Sequence, residues 1–351
     1  MNTIDLDAME EWTVQVLLRS GLRQSDARWV AKNLAFAESR GVATHGLMRL
    51  STYVERILGG GINKDSKIRI DHDLGALVVV DADHGPGATS AVYAADLAMN
   101  RARKLGIGCA IAHSANHFGA SAFYTNRIAD GGLLGIAICN TESVMCAPFG
   151  GRPVLGTNPL AVAVPLPADR RPQLDMATTT TSQGKLIVAK QADQPIPLGW
   201  AVDAWGRPTQ SAADGLAGAL LPSGGPKGFG IAFAIDAILT VSGARISPEV
   251  GALQGDPSRA QNLGHAFIAI RADVVGPIEE YRDRIGRLVD AIHRSGVDGQ
   301  EVAPVAPGEP EIARAIEING RIQLGGALLK NLNQLAESTG VALPISVSLT
   351  A

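Results

Sequence analysis

The chain is short of cysteine, of any charge surplus, of long apolar runs and of a leader-like N-terminus, and each shortage closes off a class of protein. Only Cys109, Cys139 and Cys146 occur, without a Cys-x-x-Cys pair. Neither a disulfide framework nor a zinc knuckle is indicated, and free thiols in a reducing compartment are the simplest account. Lys+Arg 31 against Asp+Glu 34 leaves a formal net charge of -3, which supplies no basic field for nucleic acid or an anionic membrane. No run of about 18 apolar residues is available to cross a bilayer. Residues 1–11 are acidic where a secretory signal is basic and then apolar. A cytoplasmic protein that engages neither nucleic acid nor membrane is expected.

What is present points to a globular protein with a large core: 351 residues, 46% hydrophobic and 19% charged, with 40 glycines. Residues 5–58 carry helical periodicity, with Ser25 or Asp26 placed to cap a second segment and glycines 59 to 61 to stop the last. Beyond them, apolar strands are predicted over 76–81, 107–112, 134–139, 161–164 and 264–270. Helices are predicted over 89–104, from Ser121 through Ile128, and over 231–241, 279–293, 311–318 and 324–335. The class is α/β with a helical N-terminal layer.

The stretch Thr44-His45-Gly46-Leu47-Met48-Arg49 places an imidazole and a fixed cation one helical turn apart. Leu47, Leu50, Val54 and Ile57 would face a core, while His45, Arg49, Thr52 and Arg56 share the other face, which meets water or lines a cleft. An Arg beside a His disfavours the imidazolium, so His45 is expected neutral near pH 7. Gly46 inside a helical pattern costs about 1 kcal/mol against Ala, which suggests close approach to its backbone.

Other polar stretches weigh less. Gly85-Pro86-Gly87-Ala88-Thr89-Ser90 imitates a dinucleotide fingerprint, but Pro86 sits inside the turn and the next strand ends in His113-Ser114 rather than an acid. An ordinary strand-to-helix turn is expected there. His113 and His117 are four apart, yet Ser114 stands where the zinc-protease pattern needs Glu, so no metal is expected. Polar residues between His113 and Ser121 lie where a strand end enters a helix, a favoured ligand position in α/β proteins. The loop from Pro148 to Pro159 is a plausible wall for a polar ligand. Ser223-Gly224-Gly225-Pro226-Lys227-Gly228 is not a Walker loop, though a Lys at a helix start can hold an anion or simply be solvated.

Taken in order, Thr44-His45-Gly46 with Arg49, Asn116-His117-Phe118-Gly119 with Tyr124, Gly156-Thr157-Asn158-Pro159, Asp175-Met176-Ala177-Thr178, Pro226-Lys227-Gly228-Phe229-Gly230 and Pro307-Gly308-Glu309-Pro310 resemble the malate/L-lactate dehydrogenase family of non-Rossmann NAD(P)-dependent oxidoreductases. That family also includes sulfolactate, ureidoglycolate and diketogulonate enzymes and reductases of cyclic imino acids. The resemblance implies an α/β fold of discontinuous domains: a helical region over 1–70 with 311–351, a substrate-side region over 71–116 and 296–310, and an NAD(P)-binding domain over 117–295. It implies His45 as proton donor, Thr44 in a relay, Arg49 on the substrate carboxylate and Thr157 touching substrate. NAD or NADP would be lined by His117, Phe118, Gly119, Ala120, Ser121, Thr141, Asp175, Met176, Ala177, Lys227, Pro307, Gly308 and Glu309, with His117 a second acid/base. A small carboxylate substrate and a homodimer are implied as well.

The substrate implied is a 2-oxo acid interconverted with a 2-hydroxy acid. Reduction of a cyclic imino acid such as piperideine- or pyrroline-2-carboxylate is the alternative, and a non-catalytic dinucleotide-binding protein a further one. Lys185 replaces the acidic residue carried by the imine-reducing branch, which favours a carbonyl. Thr44 stands where Ser is common, which keeps the hydroxyl and narrows the space.

Overall fold

Period-two alternation in the middle of the chain builds the scaffold. The protein is described here by a computed structural model, which covers residues 2–344. Seven strands form one sheet in the spatial order Arg69–Asp73, Leu77–Asp81, Ile107–Ala115, Leu263–Arg271, Leu133–Cys139, Leu160–Ala163 and Gln173–Met176. Successive side chains leave opposite faces, so Ala110, Ala137, Phe267 and Ala269 enter one apolar cluster while Ile111, Ile138 and Ala266 enter another. Within this sheet only Leu77–Asp81 and Ile107–Ala115 run parallel, and the other pairings are antiparallel. A doubly wound dinucleotide fold is built on parallel strands, so this sheet is of a different kind.

Helices Gly87–Leu105 and Ser121–Asp130 cover the first face. Small residues bring the former close: Ala91, Ala94, Ala95, Ala98 and Ala102 are buried, and a Cβ on Gly108 would overlap the Ala98 carbonyl. Helix Pro226–Leu239 covers the second face through Ile235 and Leu239 but turns Ile231, Phe233 and Ile238 outward. The 85–90 stretch is a strand-to-helix turn. Gly87 opens the helix against the carbonyls of Asn116 and His117, where a side chain would collide.

At the N-terminus, helices Leu6–Arg19, Gln24–Ser39 and Leu50–Gly59 share one core with the end of the chain, joining Met9, Trp12, Leu17, Leu34 and Leu50 to Ile322, Leu332 and Leu335. Each such fully buried aliphatic side chain contributes about 1.5–3 kcal/mol. Strand Asn2–Asp5 pairs antiparallel with Arg321–Leu324, a ribbon too short to leave a period in the sequence, and the last helix accordingly begins later, at Gly326–Thr339. Of the helical region expected over 1–70 with 311–351, Met1 and residues 345–351 lie outside the described residues. The sheet is continuous across the boundary expected between 116 and 117.

Three local expectations are corrected. Arg23, not Ser25 or Asp26, occupies the N-cap of the second helix, and Asp26 accepts from its Nε at 3.1 Å. Residues 43–49 do not continue a helix: two 3-10 turns, Ala43–His45 and Leu47–Arg49, meet at Gly46, whose φ of -89° and ψ of -149° break the run. Arg56 does not share a wet or cleft-lining face with His45. It is 1% exposed and donates to the carbonyls of Ala252, Leu253, Asp256 and Arg259, which replace the water that a buried guanidinium gives up.

Candidate active site

The break at Gly46 is held by a buried carboxylate. Glu38 accepts the Leu47 N–H at 2.9 Å, and a Cβ on Gly46 would overlap that same carboxylate. The close approach anticipated at Gly46 is therefore Glu38, whose pKa burial raises. The two turns fold back on themselves, with Arg49 Nε donating to the Thr44 carbonyl at 2.6 Å and Thr44 Oγ1 lying 3.1 Å from His45 Nδ1. Arg49 makes no ion pair among the described residues. Behind Thr44 lies Gly184 at the start of helix Gln183–Gln191, where a Cβ would come within 2.6 Å of the Thr44 methyl.

His117 enters from the end of strand Ile107–Ala115 and stacks against His45 with ring centroids 5.6 Å apart. Its Nδ1 lies 2.6 Å from Tyr53 Oη and 3.3 Å from the Gly119 N–H. Since the amide can only donate and the phenol readily does, Nδ1 is the acceptor and the ring proton sits on Nε2. Burial, then the Arg49 cation, depresses the His45 pKa to about 4. Burial, His45 and Arg49 also push that of His117 well below its ordinary value. Both imidazoles are neutral at pH 7. His113, in contrast, turns away to Asp71 at 2.8 Å and to Ser114, so it shares no ligand position with His117.

His45 and His117 open onto a cavity of about 580 Å³, within the range of small-molecule and cofactor sites. Thr44, the run His117 to Ser121, Thr141, Thr157, the run Asp175 to Ala177 and Pro307-Gly308 all line it. Thr141 and Thr157 face each other, their Oγ1 atoms 3.4 Å apart. Asp175 is open to the cavity but ringed by protein. It accepts the Ala122 N–H at 2.8 Å, and burial carries its pKa up to about 6. The Pro307 carbonyl receives the Gln173 N–H at 2.9 Å, and Gly308, at φ +87°, lies where any side chain would strike Gln173.

Three of the predicted site residues stand off this wall. Arg49 lies just behind His45, Lys227 sits in the first turn of helix Pro226–Leu239 with Ser223 lining in its place, and Glu309 binds His293 and the Ala306 N–H. Tyr53, Glu38, Gly184, Arg40 and Asn33 were not read from the sequence as part of the site. Tyr53 alone left a signal, one helical turn beyond Arg49. The cavity meets the needs of a nicotinamide dinucleotide through its facing hydroxyls, its main-chain walls and an unpaired Arg40 guanidinium.

A family model described as malate/L-lactate dehydrogenase matches residues 4–333. L-sulfolactate dehydrogenase of Methanocaldococcus jannaschii is 33% identical over 330 residues, 93% of this chain and 94% of that one. Its structure superposes with a TM-score of 0.89 over 97% of this chain and 98% of the other. Malate dehydrogenase of Pyrococcus horikoshii is 33% identical over 349 residues, 95% of each chain, and its structure gives a TM-score of 0.88. The structure of delta1-piperideine-2-carboxylate reductase from Pseudomonas syringae, at 25% identity, covers 96% of this chain and 100% of its own with a TM-score of 0.85.

Proposed function

The chain belongs to the malate/L-lactate dehydrogenase family, and from that premise we propose that the cavity is the active site of an NAD(P)-dependent oxidoreductase interconverting a small 2-oxo acid and its 2-hydroxy acid. The observation that carries this reading is the pairing of two neutral imidazoles, His45 and His117, beside an Arg49 with no carboxylate partner. A bound nicotinamide supplies the hydride. Arg49 takes the substrate carboxylate as a fork of two hydrogen bonds. The carbonyl oxygen would then be set at the cavity-facing edge of the rings, where His45 delivers the proton in reduction and recovers it in oxidation.

Substrate binding prepares that transfer. A carboxylate on Arg49 cancels the cation that helps to depress the His45 pKa, so the imidazolium becomes easier to form once substrate is in place. Thr44 Oγ1, 3.1 Å from His45 Nδ1, completes the relay at the far side of the ring. Tyr53 holds His117 with its Nε2–H available to the same oxygen. The dinucleotide would be held by His117 to Ser121, Thr141, Asp175 to Ala177 and Pro307-Gly308, all of which line the cavity, and Thr157 would meet the substrate.

The deciding experiment is a panel of 2-oxo acids and cyclic imino acids assayed with NADH and with NADPH. Turnover of at least one 2-oxo acid is expected. Turnover confined to piperideine- or pyrroline-2-carboxylate would move the assignment to imine reduction, and binding without any turnover would reduce the protein to a dinucleotide-binding module. A homodimer is part of the same proposal. Helix Pro226–Leu239 offers the surface, with Phe233 63% exposed beside Ile231 and Ile238, and a single-chain mass in light scattering would remove it.

A further inference from the structure

Arg40 lines the cavity as a cation with no direct ion pair among the described residues, although the carboxylates of Asp130 and Glu311 act on it through space. It lies on the wall with Pro307, Gly308 and Glu311. Its guanidinium carbon sits 3.6 Å from the centroid of the Phe36 ring, which also lines the cavity. Nη1 reaches only the Ser39 hydroxyl, at 3.2 Å, and Nε is buried with no partner. Among the described residues no carboxylate comes within ion-pair distance of it.

Its neighbour shows what a satisfied arginine looks like here. Arg171 is 3% exposed and spends its donors on Asp130 at 2.6 Å, on Asn126 and on the Leu166 carbonyl. Asp130 is thus already taken. Asp175, on the sheet side of the lining, is engaged by the Ala122 N–H, and Glu311, which lines the same cavity, attracts Arg40 without pairing with it. A guanidinium flattened on an aromatic ring is fixed in orientation, and one held without a partner in a largely enclosed wall pays for desolvation unless an anion arrives. Planar donors on a cavity wall suit phosphate oxygens.

We propose that Arg40 anchors a phosphate group of the dinucleotide, which makes it a cofactor-recognition residue. This rests on the reading of the cavity as a dinucleotide site. Two phosphates share the required chemistry: the pyrophosphate common to both cofactors, and the 2′-phosphate that only NADPH carries. Which one Arg40 meets decides whether it supports binding in general or selects between the two.

The test is titration of the full-length protein with NADH and with NADPH, followed by nicotinamide fluorescence in the absence of substrate, for wild type, Arg40→Gln and Arg40→Lys. Circular dichroism and thermal unfolding confirm that each variant is folded. A loss on the order of 10- to 100-fold in affinity is expected for Arg40→Gln, with partial recovery in Arg40→Lys. Equal loss for both dinucleotides assigns the pyrophosphate, and loss confined to NADPH assigns the 2′-phosphate. Unchanged affinity for both in folded Arg40→Gln overturns the proposal. If wild type binds neither dinucleotide, the dinucleotide reading of the cavity falls, and the inference with it.

Discussion

The two walls of the cavity are made in different ways. On the helical side, residues 36–49 contribute side chains: Phe36, Arg40, Thr44 and His45 face the ligand space, positioned by short turns and a buried Glu38. On the sheet side, His117 to Ser121, Thr157 and Asp175 to Ala177 line the space from strand ends, with the His117 ring among much main chain, braced by the sheet's hydrogen bonds. In the proposed reading the first wall carries the proton donor His45 and the Arg40 anchor, and the second carries His117 and shapes the rest of the ligand space. Substitution of His45 should therefore cost chemistry, substitution of Arg40 cofactor affinity, and changes beneath either wall geometry or stability.

The sharpest test of that division is His45→Ala. Turnover should fall about 10²- to 10⁴-fold, the usual worth of a positioned acid/base, while dinucleotide affinity stays within a few-fold. Steady-state rates and a fluorescence titration check both halves. Near-normal turnover would break the division by moving the proton to His117 on the sheet wall.

The helical wall also depends on space left by another segment. Gly184→Ala puts a methyl 2.6 Å from Thr44 Cγ2, and overpacking of this kind costs about 1–3 kcal/mol. Thermal unfolding and kcat should both drop, and Thr44→Ser in the same chain should restore them by deleting the methyl while keeping the relay hydroxyl. If the second substitution leaves the loss untouched, the contact with Thr44 is not its cause.

A pH effect of similar or smaller size spans both walls. His265, fully buried behind Phe118 at 4.3 Å between rings and with neither ring nitrogen partnered among the described residues, has its pKa carried by burial down to about 3. His45 and His117 are depressed too. In each case the unfolded chain binds protons that the folded one refuses, so stability is lost as pH falls below the ordinary value of 6.5 towards the depressed one. For His265 the withdrawal between pH 8 and pH 5 should be about 2 kcal/mol. His265→Phe should flatten that decline, seen in denaturant midpoints at the two pH values, and an unaltered slope would rule His265 out as a contributor.

Much of the sheet was legible in the sequence because strands buried on both faces leave dense apolar runs bounded by glycine and polar residues. The strand over 134–139 and that over 264–270 differ from Leu133–Cys139 and Leu263–Arg271 by a residue at an end. Direction of pairing was not legible: nothing local in Leu263–Arg271 says that it inserts antiparallel between two strands that precede it by more than a hundred residues. Helical periodicity misread 43–49, because Leu47 and Leu50 keep the spacing of a helix while Gly46 breaks the chain between them. His45, Thr44 and His117 were found through motif order, and the structure brings them to one cavity. Tyr53 and Glu38 act through contacts far apart in sequence or hidden in a turn, and no spacing rule reports those.

One carboxamide ties the two walls together. Asn33, buried in helix Gln24–Ser39, donates to the Ala120 carbonyl and the Tyr124 hydroxyl, each at 3.2 Å, and accepts the Ala120 N–H at 3.0 Å. It works like a rivet through two plates: the helix that leads into the 43–49 turns and the loop before Ser121 cannot slide past each other without shearing three hydrogen bonds.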